Sequence, residues 1–304
     1  MKKVEKGGII YVSKLSYWNG TAISTSFSGS GTEEDPYQIN SAADLAYLAS
    51  SVNNGTTYAG KYFILNVDVN LDNKEWTPIG TTKANNFAGT FNGNGKKIYN
   101  LKVAEMSAAY VGLFGYVSGT IENLGIVSGS VKPTSTAAKI YVGALAGYLT
   151  GTVENCYSQA NVSLSVSGMV YAGGLIGCVD ADATVTDSYA SGVVSATSTG
   201  GFAHAGGFVG SNEGTIDGCM AFGNVTAYGS DQTHSRNGGF VASNSGTLTE
   251  CYRSEAQVLT QYTTTGTAYN EEGTADSVAD MISYAQTNWD SSVWEFGLKY
   301  PNHK

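Results

Sequence analysis

A four-residue signature recurs five times in the chain at nearly constant spacing, and this repeat limits the available folds more than any other feature. It reads GLFG, ALAG, GLIG, GFVG and GFVA, beginning at residues 112, 144, 174, 207 and 239. A second signature follows each copy, from GTIENLG at residue 119 to GTLTECY at residue 246. A unit of about 32 residues cannot bury an apolar face alone, whereas stacked units bury a continuous core. The repeat therefore predicts a solenoid.

Three short apolar runs in each unit predict three strands, because runs this short and rich in Val, Ile and aromatic residues favour strands over helices. The predicted fold class is all-β: a right-handed parallel β-helix with coils of about 32 residues and short helical caps. Glycines are expected at the corners, where positive φ is needed. Two columns should fill the interior. They are Leu113, Leu145, Leu175, Phe208 and Phe240, and Ile121, Val153, Val185, Ile216 and Leu248.

Two segments outside the repeats have the pattern of capping helices. INSAADLAYLASSVNNG is amphipathic and has a capping-type start at Ser41. DSVADMISYAQTN predicts a second helix near the C-terminus. Three aromatic residues that would cover the last coil follow it: Trp289, Trp294 and Phe296. The predicted boundaries are 1–60 for the N-terminal segment and capping helix, 61–265 for the β-helix and 266–304 for the C-terminal cap.

Composition narrows the classes of function. Only 13% of the residues are charged, about half the usual share in soluble domains. The net charge of −9 argues against nucleic acid as a partner, because phosphate binding needs a basic face. No apolar run approaches the roughly 18 residues of a membrane span. The basic first residues lack the apolar stretch of a secretory signal. A polar, weakly charged surface is nevertheless typical of an extracellular all-β protein.

The stretch GTFNGNGKKIYNL, from Gly89 to Leu101, resembles a phosphate-binding loop at first sight. The P-loop spacing would require a glycine where Thr90 stands and a hydroxyl residue where Lys97 stands. The residues that follow also favour a strand over the helix that a phosphate site needs. Asn and Gly tolerate positive φ, so the stretch predicts a turn between strands.

The combined motifs resemble the GLUG-motif proteins, which are repeat-bearing secreted or surface proteins. The resemblance rests on EWTPIG, FAGTFNGNGKKIYNL, VGLFGYVSGTIENLG and the GGLIG-type repeats, and it runs from about Trp18 to Pro301. It implies a right-handed parallel β-helix, export and an adhesion role, and it carries no agreed catalytic residues. Such repeats also occur beside the protease domain of IgA-cleaving metallopeptidases. This chain departs from the pattern at Ala242, which stands in place of the closing glycine of the last repeat.

Motifs for metal chemistry are weak. None of the three histidines is followed by Glu, so the H-E-x-x-H signature of a zinc protease is absent from the sequence. Asp68, Asn70 and Asp72 have the oxygen spacing of an EF-hand loop, but Asn73 stands where that loop needs glycine. The apolar residues between the oxygens favour a half-buried strand over a weak calcium site.

One column carries carboxylates and another carries thiols. Glu122, Glu154 and Asp217 share a column, and such acids could cleave glycosides, although solvated surface charge is the more frequent outcome. The neighbouring threonine column predicts a structural ladder. Cysteines occupy a position that also accepts Leu and Ser, which favours small interior residues. Cys219 and Cys251 lie on adjacent coils, within reach of a disulfide, but free thiols are the favoured interpretation.

Tyrosine gives the strongest functional indication, since 20 of the 304 residues are Tyr. Two sets are predicted to stack in exposed rows and to bind ligands: Tyr110, Tyr141 and Tyr171, and Tyr157, Tyr189 and Tyr252. Exposed aromatic rings with hydroxyls suit sugar or protein surfaces. The alternative is that the stacked rings only stiffen the solenoid.

These observations predict a non-catalytic adhesin-like binding module at the cell surface or outside the cell. Its expected partners are an extracellular glycan or a protein of a host or neighbouring cell. We expect a monomer that binds no nucleic acid, inserts into no membrane and needs no cofactor or metal. Two alternatives remain open, a carbohydrate-active β-helix enzyme and a passive stalk of a larger surface protein.

Overall fold

The chain folds as an all-β parallel β-solenoid of about six turns with two helices, seen in a computed structural model. The structure describes residues 4–6, 9–11, 15–104, 107–231, 234–261, 273–296 and 299–304. The predicted fold class is confirmed. The prediction of three strands per coil is wrong, because each regular coil contributes one strand to each of five sheets. Those strands are as short as Gly125–Ile126, too short to show a pattern of their own.

We number the five parallel sheets I to V in the order in which a regular coil visits them. Sheet I consists of Tyr110–Val111, Lys139–Val142, Met169–Gly173, Ala203–Gly206 and Ser235–Gly238. Sheet II consists of Phe114–Val117, Ala146–Leu149, Ile176–Val179, Val209–Asn212 and Val241–Asn244. Sheet III consists of Tyr37–Ile39, Tyr62–Leu65, Thr90–Asn92, Thr120–Glu122, Thr152–Glu154, Thr184–Thr186, Thr215–Asp217 and Thr247–Thr249.

Two further parallel sheets and two antiparallel pairs complete the strands. Sheet IV consists of Leu15–Tyr17, Asp68–Asn70, Lys97–Tyr99, Gly125–Ile126, Tyr157–Ser158, Tyr189–Ala190, Met220–Ala221, Tyr252–Ser254 and Thr274–Asp276. Sheet V consists of Leu101–Val103, Gly129–Val131, Asn161–Val166, Val194–Ser198, Val225–Tyr228 and Leu259–Gln261. The antiparallel pairs are Val4–Lys6 with Ile9–Tyr11, and Trp294–Phe296 with Pro301–His303. Sheets III and IV thus extend into residues 1–60, and sheet IV extends past residue 265.

The register of the sheets follows the sequence repeat. Thr120 pairs with Thr152, which pairs with Thr184, so equivalent residues of successive coils form columns. Both predicted interior columns lie in the core. Their members are fully buried except Leu248, on the last coil, which is partly buried.

The glycines of the GLUG-like signatures are required for close packing. The prediction of positive φ is wrong for them, although it holds at corner glycines such as Gly95 and Gly218. None of the glycines in the five GLUG-like signatures has positive φ. A Cβ added at Gly147, on sheet II, would lie 2.4 Å from the backbone nitrogen of Val111 on sheet I. Side chains at this position would therefore force the two sheets apart.

Positive φ occurs instead at the turn between sheets III and IV. Successive coils place Asn123, Asn155 and Asp187 there, with φ of 55°, 51° and 47°. The earlier GNG stretch makes the same corner, because Asn94 and Gly95 have φ of 50° and 68°. The turn prediction for this stretch is confirmed, and the turn joins two different sheets.

The N-terminal helix, Ala42–Asn53, closes one end of the core. Ser41 is its N-cap, and the Ser41 hydroxyl accepts a hydrogen bond from the backbone N–H of Asp44, as predicted. Leu45, Leu48 and Val52 are fully buried against the solenoid.

From Val278 onward the C-terminal segment lies along the side of the solenoid, so the prediction that Trp289, Trp294 and Phe296 cover the last coil is wrong. We call residues 278–296 and 299–304 the C-terminal strap; it begins with the helix Val278–Asn288. Trp289 donates from Nε1 to the Gly218 carbonyl oxygen at 2.9 Å. Trp294 donates from Nε1 to Asn155 Oδ1, two coils away, at 3.0 Å. The strap therefore runs back over the outer surface of sheet IV. In the part of the chain described, neither helix is long and apolar enough to cross a membrane.

Candidate functional site

The predicted row of Tyr157, Tyr189 and Tyr252 is mostly covered by the strap. Tyr157 and Tyr189 stack with their ring centroids 5.0 Å apart, but both are fully buried. Trp294 packs on both rings, with centroids 6.0 Å and 6.1 Å away. Tyr252 is partly buried beside the helix of the strap. The prediction that these rings form an exposed row is wrong for Tyr157 and Tyr189, because a segment more than 100 residues downstream packs on them.

The other predicted row lies on the outer surface of sheet I. Tyr110 stacks on Tyr141 and Tyr141 stacks on Tyr171, with centroids 5.8 Å and 5.1 Å apart and planes within 13°. All three side chains are half-buried. Burial raises the pKa of Tyr141 and of Tyr171, so both hydroxyls remain protonated donors at neutral pH.

A second tyrosine column, not anticipated from the sequence, lies on sheet II. Tyr116 and Tyr148 stack at 5.1 Å, and Tyr148 packs edge to face on Tyr141 at 5.0 Å. Both follow the last glycine of a GLUG-like signature, so the spacing of the repeat could have identified them. We call Tyr110, Tyr116, Tyr141, Tyr148 and Tyr171 the tyrosine groove. The two tyrosine columns meet because the repeat glycines let sheets I and II approach closely.

The hydroxyl of Tyr148 is anchored by a carboxylate at the edge of the groove. It donates to Asp180 Oδ2 at 2.5 Å. Burial, followed by this hydrogen bond, raises the pKa of Tyr148. The bond fixes the orientation of a ring at the centre of the groove.

A cavity of about 550 Å³, open to solvent, lies at the N-terminal end of the groove beside Tyr110. Tyr110 belongs to the first strand of sheet I, at the edge of the sheet. It therefore has a neighbour in its column on one side, Tyr141, which stacks on it. The other lining residues are small and mostly polar: Asn53, Thr77, Thr81, Thr82, Ser107, Ala108 and Ala109. A half-buried ring beside several hydroxyl groups combines an apolar surface with hydrogen-bonding groups.

A smaller pocket of about 250 Å³ lies at the C-terminal end of the groove. Its lining residues are Met169, Tyr171, Phe202, His204, Arg236 and Ser243. His204 is 5% exposed and packs on Tyr171 with centroids 4.7 Å apart. Burial, together with the Arg236 charge, lowers the pKa of His204 to about 4, so its imidazole is neutral at pH 7.

The predicted carboxylate column lies on the outer surface of sheet III. Glu122 and Glu154 are register neighbours, and Asn92 donates from Nδ2 to Glu122 Oε1 at 2.6 Å. Burial raises the pKa of Glu122, and Glu154 raises it further. Asp217 of the same column is exposed. The pKa of Asp187, at the adjoining turn, rises to about 6 through burial and nearby carboxylates.

Asp68, Asn70 and Asp72 have structural roles. Asp68 Oδ1 accepts from the backbone N–H of Lys97 at 2.9 Å. Asn70 Oδ1 accepts from the backbone N–H of Asp72 at 2.8 Å and from Asn100 Nδ2 at 3.0 Å. Residues 68–70 form a strand of sheet IV. Among the described residues, no group of three or more His, Cys, Asp or Glu side chains could hold a metal ion.

All four cysteines are free thiols, and three of them lie inside the solenoid. One interior column holds Cys156, Cys219 and Cys251, each 5% exposed or less. The prediction that these cysteines are interior residues is confirmed. Burial raises the pKa of Cys156 and of Cys251 to about 12. Thiols with such a pKa are unreactive at neutral pH.

Comparison with known proteins agrees with this architecture. Two segments, residues 140–163 and 170–197, match the model of the GLUG motif. The chain carries GLUG motifs. Halomucin of Haloquadratum walsbyi shares 32% sequence identity with this chain over 185 residues. These residues cover 57% of this chain and 2% of halomucin. A "Putative Gly-rich membrane protein" of Evansella cellulosilytica is 34% identical over 157 residues, which cover 48% of this chain and 17% of that protein. The chain therefore spans only a small part of the length of each of these relatives.

A solved structure shares the fold. It is the crystal structure of a "putative immunoglobulin A1 protease" from Bacteroides ovatus, with a TM-score of 0.64 and 22% sequence identity. The match covers 91% of this chain and 94% of the other. At this level of identity the similarity establishes the fold alone.

Proposed function

We propose that this chain is a non-catalytic binding module of a secreted or cell-surface protein, and that it binds glycans through the tyrosine groove. The observation that carries the proposal is the position of Tyr110. Its half-buried ring ends the sheet I column beside an open cavity that is lined by small residues, several of which bear hydroxyl groups. A sugar ring presents an apolar face and several hydroxyls, and this cavity offers a partner for each.

The size of the cavity supports a sugar ligand. Its volume of about 550 Å³ falls within the range of roughly 300–1,000 Å³ that small-molecule sites occupy. The groove continues from it along successive coils, so neighbouring sugars of one chain could make several weak contacts at once. Linked weak contacts add up to a much higher overall affinity.

The relatives support a surface location. One is named a halomucin and the other a Gly-rich membrane protein. Since the matched regions are 2% and 17% of those proteins, the chain would be one module in a much larger surface protein. A polar surface with only 13% charged residues fits contact with the hydroxyls of a glycan.

A glycoside-cleaving enzyme is the second candidate. It is favoured by the raised pKa of Glu122 and by the pKa of about 6 for Asp187, which lies near the Glu154 carboxylate. Acid-assisted glycoside cleavage requires one protonated and one ionised carboxyl group. This candidate places the ligand on sheet III and not in the tyrosine groove.

A glycan array scored for both bound protein and released sugar tests the two functions. The binding module predicts bound protein without released sugar, and loss of the signal in Tyr110→Ala but not in Glu122→Gln. Released sugar that disappears in Glu122→Gln would instead establish the enzyme. Absence of both signals would contradict both proposals and leave a passive stalk as the better explanation.

A further inference from the structure

The tyrosine groove changes chemical character at its C-terminal end. On sheet I, the column that begins with tyrosines continues in register from Tyr171 to His204 and then to Arg236. On sheet II, the corresponding column continues from Tyr148 to Cys178 and Ser211. Bulky rings are thus replaced by one cation, one imidazole and smaller side chains, which opens the pocket of about 250 Å³.

The imidazole in this pocket is unusual because one of its polar atoms has no partner. His204 is only 5% exposed, and its Nδ1 makes no hydrogen bond to any of the residues that the structure describes. Buried polar atoms without partners cost free energy and are rare in folded proteins. The rings of Tyr171 and Phe202 lie on His204 with centroids 4.7 Å and 5.7 Å away, so packing holds the imidazole in place.

The charges around the pocket have opposite signs. Burial lowers the pKa of His204 and raises that of Tyr171, and the nearby Arg236 guanidinium acts on both in the lowering direction. The exposed Glu213 carboxylate acts on Tyr171 in the opposite direction. His234, beside Phe202, is 2.6 Å from the Asp231 carboxylate. Arg236 is the cationic residue among those that line the pocket.

We propose that this pocket binds the carboxylate of an acidic sugar, with Arg236 as the main donor and the sugar ring against Tyr171. The inference rests on the proposed glycan-binding function and adds the class of sugar. The guanidinium fork matches a carboxylate in a bidentate manner. His204 and Ser243 supply neutral polar groups beside it.

Specificity follows from the surrounding charge. The chain carries a net charge of −9, so an anionic sugar is repelled at long range and is attracted only where Arg236 is close. A neutral sugar can accept hydrogen bonds from Arg236 but lacks this charge attraction. Glu213 opposes an anion, so its removal should strengthen binding, while removal of Arg236 should abolish the preference for acids.

The test is a titration of the full chain with sugars, monitored by NMR. The signals of the His204 ring and of the Arg236 side chain report binding. The probes are methyl β-glucuronide, methyl α-sialoside and the neutral methyl ester of each. The acids should shift both reporters, the esters should not, and Arg236→Gln should weaken acid binding about tenfold or more. Glu213→Gln should strengthen it, and Lys132→Gln, which removes a cation from another face, should leave it unchanged.

Equal shifts with acid and ester would overturn the carboxylate assignment, and so would the absence of shifts with both acids. A response to one acid alone identifies whether a uronate or a sialate is the source of the carboxylate. The two proposals fail separately. Acid binding at Arg236 together with an array signal that survives Tyr110→Ala would refute the Tyr110 site alone, whereas array binding that is lost in Tyr110→Ala but ignores the charge of the sugar would refute this inference alone.

Discussion

Tyr141 and Tyr148 pack edge to face, with ring centroids 5.0 Å apart and planes at 88°, although they belong to different sheets of one coil. The arrangement recurs on the preceding coil, where Tyr110 and Tyr116 meet at 5.1 Å and 89°. Each such pair contributes about 0.5–1.5 kcal/mol beyond the burial of its surface. The outer surfaces of sheets I and II are therefore held together by the same rings that we propose for ligand binding.

The first prediction concerns Tyr110. Tyr110→Ala should weaken binding of the best array glycan about tenfold, because it removes the ring that borders the cavity of about 550 Å³. Isothermal titration calorimetry measures this change. Tyr17→Ala is the matched control, since Tyr17 is 66% exposed on another sheet. Equal losses in both variants, or none in Tyr110→Ala, would contradict the assignment of the groove.

A structural collapse must be separated from lost contact in that experiment. Tyr110→Phe keeps the ring and its packing on Tyr141 and removes only the hydroxyl. It should retain most of the affinity if ring contact dominates. The midpoint of urea unfolding should stay close to that of the parent for Tyr110→Phe.

The fold could be predicted from sequence because the repeat fixes the register. A column such as Leu113, Leu145 and Leu175 can be read by counting alone, and the structure places all of it in the core. The number of strands could not be read in this way, because a strand such as Gly125–Ile126 has only two residues. Two residues show no alternation between inside and outside.

The candidate site was only partly predictable. The stacking of Tyr110, Tyr141 and Tyr171 follows from their equivalent places in successive repeats. The burial of Tyr189 does not, because its hydroxyl donates to the carbonyl oxygen of Pro301, 112 residues away. Local pattern cannot reveal a segment that returns over the solenoid from outside the repeats.

The strap leads to a prediction about stability. Tyr189→Ala should lower the free energy of unfolding by about 3–5 kcal/mol, as for other large buried rings. Tyr17→Ala should change it by less than about 0.5 kcal/mol. Tyr189→Phe should lie between them, because it keeps the ring and removes only the hydroxyl, which donates to Pro301 at 2.8 Å and accepts from Gln159 Nε2 at 3.2 Å. Equilibrium urea unfolding checks the order, and a Tyr189→Ala variant as stable as Tyr17→Ala would show that the strap does not hold this ring in solution.

The repeat glycines give a further prediction. Gly147→Ala should destabilise the fold by about 1–3 kcal/mol, because the new methyl would lie 2.4 Å from the Val111 nitrogen and push sheets I and II apart. Gly201→Ala is the control, since its methyl would meet its nearest atom at 3.5 Å and φ is not positive there. Thermal unfolding of the two variants shows whether the loss of stability comes from the steric clash at Gly147 or from the lower backbone freedom of alanine. Similar losses in both would refute the packing explanation.

The last prediction concerns Asp187 and pH. Its pKa rises from an ordinary 3.8 to about 6 through burial, with Glu154, Asp217 and Asp290 as further causes. The folded state therefore favours the protonated form, and this stabilisation is lost as the pH rises through about 6. Asp187→Asn keeps a residue that tolerates the φ of 47° and removes the charge.

Asp187→Asn should accordingly raise the free energy of unfolding by about 1 kcal/mol at pH 7.5, after allowance for the partial exposure of this side chain. At pH 3.5 the gain should vanish, because the carboxyl is then mostly protonated in both states. Asp182→Asn, at an exposed turn, should show no such dependence on pH. Urea unfolding at the two pH values measures the difference. A gain of the same size at both would mean that the charge of Asp187 is not its cause.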